Sequence, residues 1–451
     1  MKEIDGDFLK GPIFKNLVKF SIPVLLALIL QALYGAVDLW AVGKFATRAD
    51  VSAVATGSQA MQIIIGLVSG LSMGSTVLMA LYVGGENREG ILKIIINSFF
   101  LMGILALLLT LLTPISAGLI AKATKAPEEA FIQTVSYIRI CGLGSIFIVA
   151  YNLISAIFRG FGDSRSPLYF VIIACFVNIL GDIILIKFFN MGASGAAYAT
   201  VFAQGVSVVM SLVLMWKNKN LFDFEKASLQ IDSKIIKRIL KLGSPLALQS
   251  MCNEMSYLII LGIVNSLGEI ASAGVGIAEK LVMFILLIPI SYTQSISAFV
   301  GQNYGAGNLA RAKKSMWIGM ATAAVLGGII SIFAFFYGKE LSTLFIKIED
   351  YDVIKASAEF LKATSIECFI LSLAYCFTGY FNGIGETNFV MIQGLISIFL
   401  VKIPYAYYAG TRPEPSLFQI GMSTVWAAAF SFAFCAFYYF YKDIPAKSYK
   451  S

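Results

Sequence analysis

Two aspartates lie inside long apolar segments and are the strongest candidates for chemistry in this sequence. Asp38 follows Gln31 and Tyr34 at helical spacing, so the three side chains share one face. Asp182 follows Asn178 by one turn and shares its face. A charge in the middle of an apolar span costs about 2.5–3.5 kcal/mol on insertion scales, so such a carboxylate is expected to take up a proton or hold a cation. The alternative is a set of buried hydrogen bonds that joins neighbouring helices.

Other charged residues also fall within predicted helices, and not all of them need a functional role. They are Arg139, Glu254, Lys280, Lys362, Glu367 and Lys402. Arg139 and Lys362 are expected to reach the interface or a neighbouring charge, whereas Lys402 is expected to face a wet cavity. Glu254 either binds a cation, contacts a cationic substrate or pairs with Lys280. A second site formed by Glu254, Lys280 and Glu367 is therefore an alternative to the aspartates.

These residues can act inside a membrane only if they lie on helices that cross it, and the composition predicts such helices. The chain is 58% hydrophobic and 13% charged, with a mean hydropathy of +0.81, whereas a soluble domain has roughly 25% charged residues. Apolar runs of about 20 residues or more can span a bilayer as helices. Twelve are predicted, at 14–43, 52–83, 94–121, 130–158, 166–187, 193–216, 236–265, 271–300, 315–338, 355–381, 388–409 and 417–441. The predicted fold class is all-α integral membrane.

The residue types argue against several other classes of protein. The sequence has no His, the commonest metal ligand and general base, and its six Cys show no CxxC spacing. We therefore expect neither an enzyme nor a cofactor. Lys and Arg concentrate in the loops that are cytoplasmic if the N-terminus is, so the net charge of +8 is mostly an orientation signal. Both termini are predicted to be cytoplasmic, and no nucleic-acid partner is expected.

One seven-residue pattern occurs twice, once in each half of the chain. Residues 158–164 read FRGFGDS and residues 381–387 read FNGIGET. Each copy is interpreted as a turn in which glycine supplies a positive φ. Weaker matches follow in the same order, at 19–23 with 241–245, 52–55 with 272–275, and 83–87 with 300–304. The chain is therefore predicted to contain a duplicated unit.

A polar, basic segment near the middle of the chain separates the two halves. We predict an N-terminal six-helix lobe at 1–216, a cytoplasmic linker at 217–235 and a C-terminal six-helix lobe at 236–451. Because six is an even number, both lobes start on the same side of the membrane. They should be related by a pseudo-two-fold axis along the membrane normal.

Taken together, these motifs resemble the MATE family (multidrug and toxic compound extrusion) over essentially the whole chain. The resemblance depends on Pro23 in the first span, FRGFGDS at 158–164, GASGAA at 192–197 and VGQNYGAG at 300–307. It implies a secondary active exporter with alternating access between two lobes.

The resemblance also implies roles for individual residues. In the DinF-like branch of the family, a network in the N-terminal lobe is implicated in coupling. The matching residues here would surround H⁺ or Na⁺, and they are Asp38, Asn178, Asp182 and Thr200. The substrate cavity beside them would be lined by Gln31, Tyr34, Tyr137, Asn152, Gln204 and Glu254. Tyr137 could equally belong to an interfacial aromatic belt.

Glu254 also resembles an acid of the NorM-like branch, whose C-terminal lobe is implicated in cation binding. The helix-10 acid that should accompany it falls near Leu371, and Glu367 stands one turn earlier.

The predicted function is export of organic, mainly cationic compounds by antiport with H⁺ or Na⁺. We expect a monomer in the plasma membrane of a prokaryote, with membrane lipids and small organic molecules as its partners. The alternative is a flippase for a lipid-linked saccharide or lipid precursor. An anionic pyrophosphate head group would call for several cavity arginines, and the arginine singled out within a predicted helix is Arg139.

Overall fold

The computed structural model describes residues 8–217, 230–346 and 349–442, and these are almost entirely helical, with no strand among them. In chain order the helices are α1 Ile13–Phe45, α2 Arg48–Gly84, α3 Arg88–Ala123, α4 Phe131–Leu143, α5 Ser145–Phe161, α6 Arg165–Asp182, α7 Gly192–Lys217, α8 Ser233–Asn265, α9 Glu269–Ile285, α10 Leu287–Gly305, α11 Leu309–Phe336, α12 Gly338–Ser342, α13 Tyr351–Gly383, α14 Thr387–Ile396, α15 Ile403–Gly410 and α16 Leu417–Tyr441. Two π-helical segments, Ile183–Phe188 and Ser397–Lys402, follow α6 and α14 directly. Residues 218–229 of the predicted linker lie outside the described residues.

Among the described residues, eleven helical spans are long and apolar enough to cross a membrane, and α4 and α5 form a twelfth that bends by 49°. Each coincides with one of the predicted apolar runs, so the predicted all-α membrane fold is confirmed. The outward faces are apolar as well. Leu111, Ile115 and Leu119 follow one another at helical spacing on α3 and are 62%, 80% and 72% exposed. A continuous exposed apolar stripe of this kind suits contact with lipid.

The described residues group into two compact units, and both unit boundaries cut through a helix. The first unit contains Ile22–Ala247, and the second contains Phe8–Ser21 together with the described residues after Ala247. The boundaries fall beside Pro23 in α1 and Pro245 in α8. Proline removes one backbone hydrogen bond and allows a helix to bend at that point. The predicted lobes assign each of these helices to one lobe, and that division stays a prediction.

The segment before α1 is anchored to the second unit through its backbone carbonyls. Asn303 Nδ2 and Arg311 Nε donate to the Phe8 carbonyl at 3.1 and 2.9 Å. Arg311 also donates to the Lys10 carbonyl at 2.9 Å. The Phe8 ring stacks on Phe299 with centroids 4.7 Å apart. Asn303 belongs to the VGQNYGAG motif, which therefore helps to hold the start of the first span.

The two copies of the repeated heptad adopt the same backbone conformation, as the sequence predicted. Gly162 and Gly385 both have a positive φ, of 89° and 85°. The preceding glycines serve close packing instead. A Cβ on Gly160 would lie 2.6 Å from Met79 Cβ, and one on Gly383 would lie 2.8 Å from the Ser297 carbonyl oxygen. Each heptad therefore fixes a turn and a tight helix contact at once.

A second pair of equivalent turns shows that the sequence match of residues 83–87 with 300–304 is out of register. The structurally equivalent residues are Asn87 and Asn308, which start α3 and α11. The Asn87 side chain accepts from Gly90 N at 2.8 Å, and the Asn308 side chain accepts from Arg311 N at 3.0 Å. The helix cap locates this turn, and with Asn87 set against Asn308 the last residues of the preceding helices, Gly84 and Gly305, also align.

Candidate functional site

Four polar residues predicted to surround a cation are brought together in the first unit. Thr200 Oγ1 donates to Asp38 Oδ2 at 3.1 Å, and Asn178 Nδ2 donates to Thr200 Oγ1 at 3.4 Å. The carboxyl groups of Asp38 and Asp182 lie within hydrogen-bonding reach of each other. Asp38 is on α1, Asn178 and Asp182 are on α6, and Thr200 is on α7. We call these four residues the Asp38–Asp182 cluster.

This cluster has more acceptors than donors. Within the described residues no hydrogen-bond donor reaches Asp38 Oδ1, Asn178 Oδ1 or either carboxylate oxygen of Asp182, although all these atoms are buried. Buried polar atoms are normally satisfied, and two carboxylates in contact repel each other unless something positive lies between them. A shared proton or a bound cation would satisfy both requirements. The oxygens are hard ligands of the kind that Na⁺ accepts.

Local structure explains how the cluster is positioned. Asp182 is the last residue of α6, and the π-helical turn that follows it contains one more residue per turn than an α-helix. The start of α7 is fixed by Asp50, whose Oδ1 accepts from Ala193 N at 3.0 Å. Gly192 has a φ of +53°, and a Cβ there would lie 2.7 Å from Asp50 Cγ. The glycine thus permits the contact that sets the position of Thr200 two turns later.

Two side-chain pairs extend from the same face of α1. Gln204 Nε2 donates to the Tyr34 hydroxyl and Gln31 Nε2 donates to the Tyr151 hydroxyl, each at 3.2 Å. Gln31, Tyr34 and Gln204 were predicted to line a cavity beside the cluster, and that role stays a prediction. Tyr34 and Gln204 each stand one helical turn from a member of the cluster, Asp38 and Thr200. Tyr151 was not predicted. Its neighbour Asn152 was chosen instead, but Asn152 Nδ2 donates to the Ile148 carbonyl of its own helix at 2.9 Å.

Tyr137 is a packed core residue in this structure. It is 4% exposed and belongs to a hydrophobic cluster with Cys141 and Ile140. A Cβ on Gly57 would collide with its ring. It still lies close enough to Asp38 for an electrostatic interaction. An interfacial belt position for Tyr137 is therefore wrong, since its ring is buried.

The second unit has a different set of charged residues in its interior. Lys402 lies near enough to Glu367, Glu254 and Glu279 for electrostatic interaction. Lys280 does not belong to this set. It is exposed, with its ammonium 5.9 Å from the Phe345 ring centroid. Successive helix residues point about 100° apart, so Glu279 faces inward where Lys280 faces out.

The proposed pairing of Glu254 with Lys280 is thus wrong, because Lys402 is the cation near Glu254. The prediction about arginines also needs correction. Helix α5 continues to Phe161, which places Arg159 inside its last turn. Within the described residues Arg159 Nε is buried without a hydrogen-bond partner. Arg139, in contrast, is exposed.

The described residues contain no group of three or more His, Cys, Asp or Glu arranged to hold a metal ion. The Asp38–Asp182 cluster has two carboxylates, completed by an amide and a hydroxyl. That donor set fits a proton or an alkali-metal ion better than a transition metal, which prefers imidazole or thiolate ligands.

A duplicated helical bundle with ionisable groups inside its spans has the architecture of a secondary membrane transporter. Comparison with known proteins is consistent with this class. The chain matches the MatE family model over residues 23–184 and 245–408, which is more than half of its length. It therefore belongs to the MATE family of transporters.

Similar proteins match over nearly the full chain. One is a probable multidrug resistance protein, YpnP of Bacillus subtilis, 27% identical with 97% of this chain and 96% of that protein covered. Another is the multidrug export protein MepA of Staphylococcus aureus, 23% identical with 90% of each chain covered.

Among solved structures, an outward-facing multidrug resistance MATE transporter superposes with a TM-score of 0.89. It is 21% identical, with 97% of this chain and 98% of that chain covered. A transporter from Pyrococcus furiosus, described as having a binding pocket of reversed polarity, gives a TM-score of 0.87 at 21% identity, with 98% and 97% covered. At these identities the likeness supports the fold alone.

Proposed function

We propose that this protein is a multidrug exporter in which H⁺ or Na⁺ bound by Asp38 and Asp182 drives the export of organic, mainly cationic compounds. The observation that carries the proposal is the proximity of these two buried carboxyl groups, since three of their four oxygens lack a donor within the described residues. Relatives that match over at least 90% of the chain are named for multidrug resistance or export. Those names support drug export as the function.

The physical basis of coupling is differential affinity. An ion can shift a conformational equilibrium only if it binds one state more tightly than the other. The Asp38–Asp182 cluster takes its groups from α1, α6 and α7, so any movement among these helices would change the ion's ligands. Pro23 lies in the same helix as Asp38 and permits a bend there. Ion binding would thereby favour one arrangement of α1 over another.

The remaining parts of the proposal rest on the sequence. We place the protein in the plasma membrane of a prokaryote as a monomer, with both termini cytoplasmic. Lipids and small organic molecules would be its partners, and no cofactor is required besides the coupling ion.

Transport into vesicles tests the proposal. Purified protein is reconstituted into liposomes, and movement of ethidium is followed by fluorescence under an imposed pH or Na⁺ gradient. The wild type should transport only when one of the gradients is present. Asp38→Asn and Asp182→Asn should each abolish the dependence on the gradient. Glu129→Gln, the same change at an exposed carboxylate, should behave like the wild type.

Two results would refute the proposal. One is ethidium movement that does not respond to either gradient. The other is wild-type behaviour of both aspartate variants. Comparing the two gradients identifies the ion, since a Na⁺ gradient at constant pH drives transport only if Na⁺ itself is coupled. Movement of a lipid-linked saccharide without any response to organic cations would support the flippase instead.

A further inference from the structure

An arginine of the first unit has a buried guanidinium nitrogen without an acceptor. Arg159 stands in the last turn of α5, two residues before that helix ends at Phe161. Its Nε is buried, and within the described residues no hydrogen-bond partner reaches it. None of the salt bridges that the described residues form includes Arg159. The residue as a whole is partly exposed, so a ligand can approach its side chain.

A positive charge in such a position costs free energy unless an anion accompanies it. Buried polar groups are normally hydrogen-bonded, and buried charges are normally paired. Arginine keeps its charge in proteins, so Arg159 cannot avoid this cost by losing a proton. A guanidinium presents its donors as a planar fork that matches the two oxygens of a carboxylate or phosphate. The partner that this side chain lacks is therefore an oxyanion.

The turn that follows α5 does not need an arginine at this position. In the repeated heptad, Arg159 corresponds to Asn382. Each copy has a glycine of nearly the same positive φ three residues later, Gly162 at 89° and Gly385 at 85°. Asn382 is uncharged and is 3% exposed. The backbone of the heptad thus forms equally well without the positive charge, so the charge needs another explanation.

Arg159 ends a row of polar side chains along α5. Tyr151, Ser155 and Arg159 follow one another at intervals of four residues, so they lie on successive turns of one side of the helix. Tyr151 and Ser155 are 6% and 1% exposed, which places this row inside the first unit. Gln31 on α1 donates to the Tyr151 hydroxyl at 3.2 Å. An anion at Arg159 would therefore meet a polar interior and not the apolar surface that faces lipid chains.

We propose that Arg159 is an anion-binding residue, whose guanidinium receives a carboxylate or phosphate group of a bound molecule. That group belongs to a lipid head group or to a soluble compound, since both present the same oxygens to the guanidinium. Head groups are within reach because Arg159 stands at the end of a membrane span. The anion site does not rest on the proposed function, because it requires neither ion coupling nor drug export.

The first test is the sign of a stability change. Full-length Arg159→Gln is purified in detergent without anionic lipid, and its thermal unfolding is compared with that of the wild type. Its unfolding temperature should rise by about 2–4 °C, because a buried charge without a partner has been removed. Arg139→Gln removes the same charge from an exposed position and should have no effect. If Arg159→Gln cannot be purified, Arg159→Asn introduces the residue type that the second heptad has.

The second test is binding, measured as the rise in unfolding temperature that a ligand of the folded state produces. The soluble probes are potassium phosphate and potassium benzoate, each compared with KCl at equal ionic strength. The lipid probe is phosphatidylglycerol, compared with phosphatidylcholine. The wild type and Arg139→Gln should respond equally to at least one probe, whereas Arg159→Gln should not respond. Arg159→Lys should respond more weakly, since it keeps the charge but loses the planar fork.

The pattern of responses identifies the source of the anion. A response to phosphatidylglycerol alone indicates a lipid head group, and a response to phosphate or benzoate indicates a soluble compound. A wild type that responds to no probe would overturn the proposal, as would equal responses of the wild type and Arg159→Gln. A lower unfolding temperature of Arg159→Gln without any probe would show that the arginine only supports packing, and the proposal would then be wrong.

Discussion

Replacing Gly192 with alanine should destabilise the protein by about 2.5 kcal/mol, since this glycine has two features that alanine lacks. Its φ is +53°, and this conformation costs an L-residue with a side chain about 1–2 kcal/mol. The new Cβ would also lie 2.7 Å from Asp50 Cγ, so the carboxylate must move away. Asp50 accepts hydrogen bonds from Ala193 N at 3.0 Å and from Thr47 Oγ1 at 2.6 Å.

Moving that carboxylate weakens at least one hydrogen bond to a charged group, worth about 1.5–3 kcal/mol. Asp50 is half-buried, so water replaces part of the loss and the lower end of each range applies. The cost of the positive φ and the cost of the weakened hydrogen bond together give the expected loss of stability. Helix α7 begins at this contact, so the position of Thr200 relative to Asp38 should change as well.

The assay is thermal unfolding of detergent-purified variants, compared with a glycine that has neither feature. Gly103 lies in α3, and no atom beyond its own helix lies within 4 Å of the position that an added methyl group would take. Gly103→Ala should therefore be neutral or stabilise by up to about 1 kcal/mol. Gly192→Asn should recover the part that depends on φ, because asparagine tolerates this conformation, but not the part due to the Cβ.

When Asp50 is also replaced by alanine, no carboxylate lies near the Cβ that is added at position 192. The cost of Gly192→Ala should then fall by about half, as expected for residues in contact. Equal unfolding temperatures for Gly192→Ala and Gly103→Ala would refute this account of the glycine. An unchanged cost in the Asp50→Ala background would refute it as well.

Two more predictions concern single side chains. Thr200→Ala removes the hydroxyl that donates to Asp38 at 3.1 Å and should weaken ion-driven transport about tenfold, since a hydrogen bond to a charged group is worth about 1.5 kcal/mol or more. Thr200→Ser should retain transport, and equal activity of the two variants in the vesicle assay would contradict this role. Arg311→Ala removes the donors that hold the Phe8 and Lys10 carbonyls, so chymotrypsin should cleave after Phe8 faster than in the exposed-residue control Lys314→Ala. Unchanged cleavage would show that Asn303 and the Phe8 ring contacts are enough to hold the segment.

The location of the first cluster could be predicted from sequence because buried carboxylates in apolar spans are rare and costly. Asp38 and Asp182 stand out in that way without any knowledge of tertiary structure. The resemblance to a family then added Thr200, which an isolated threonine in a helix would not reveal. The spans themselves followed from apolar runs whose length matches the bilayer.

The errors have a common physical origin, which is the direction of a side chain around its helix. Lys280 was chosen where Glu279 faces inward, and Tyr151, which contacts Gln31, was missed although its neighbour Asn152 was chosen. Adjacent residues differ by about 100° in direction. Helices that are apolar on nearly all faces give no periodicity from which the inward face can be found. The unit boundaries within α1 and α8 cannot be located from sequence for a related reason, since they depend on contacts between distant parts of the chain.

The two units have the same turns and helix caps but different buried charged residues. The paired glycines Gly162 and Gly385 and the paired caps Asn87 and Asn308 keep the same backbone conformation in both. The buried charges follow no such pairing, because Asp38 and Asp182 lie in the first unit and the buried Lys402 lies in the second. Each buried charge costs about 2.5–3.5 kcal/mol in a membrane span, so an unpaired set is hard to explain by packing alone. Under the proposed function, an ion bound at Asp38 and Asp182 would supply the positive charge that this cluster lacks.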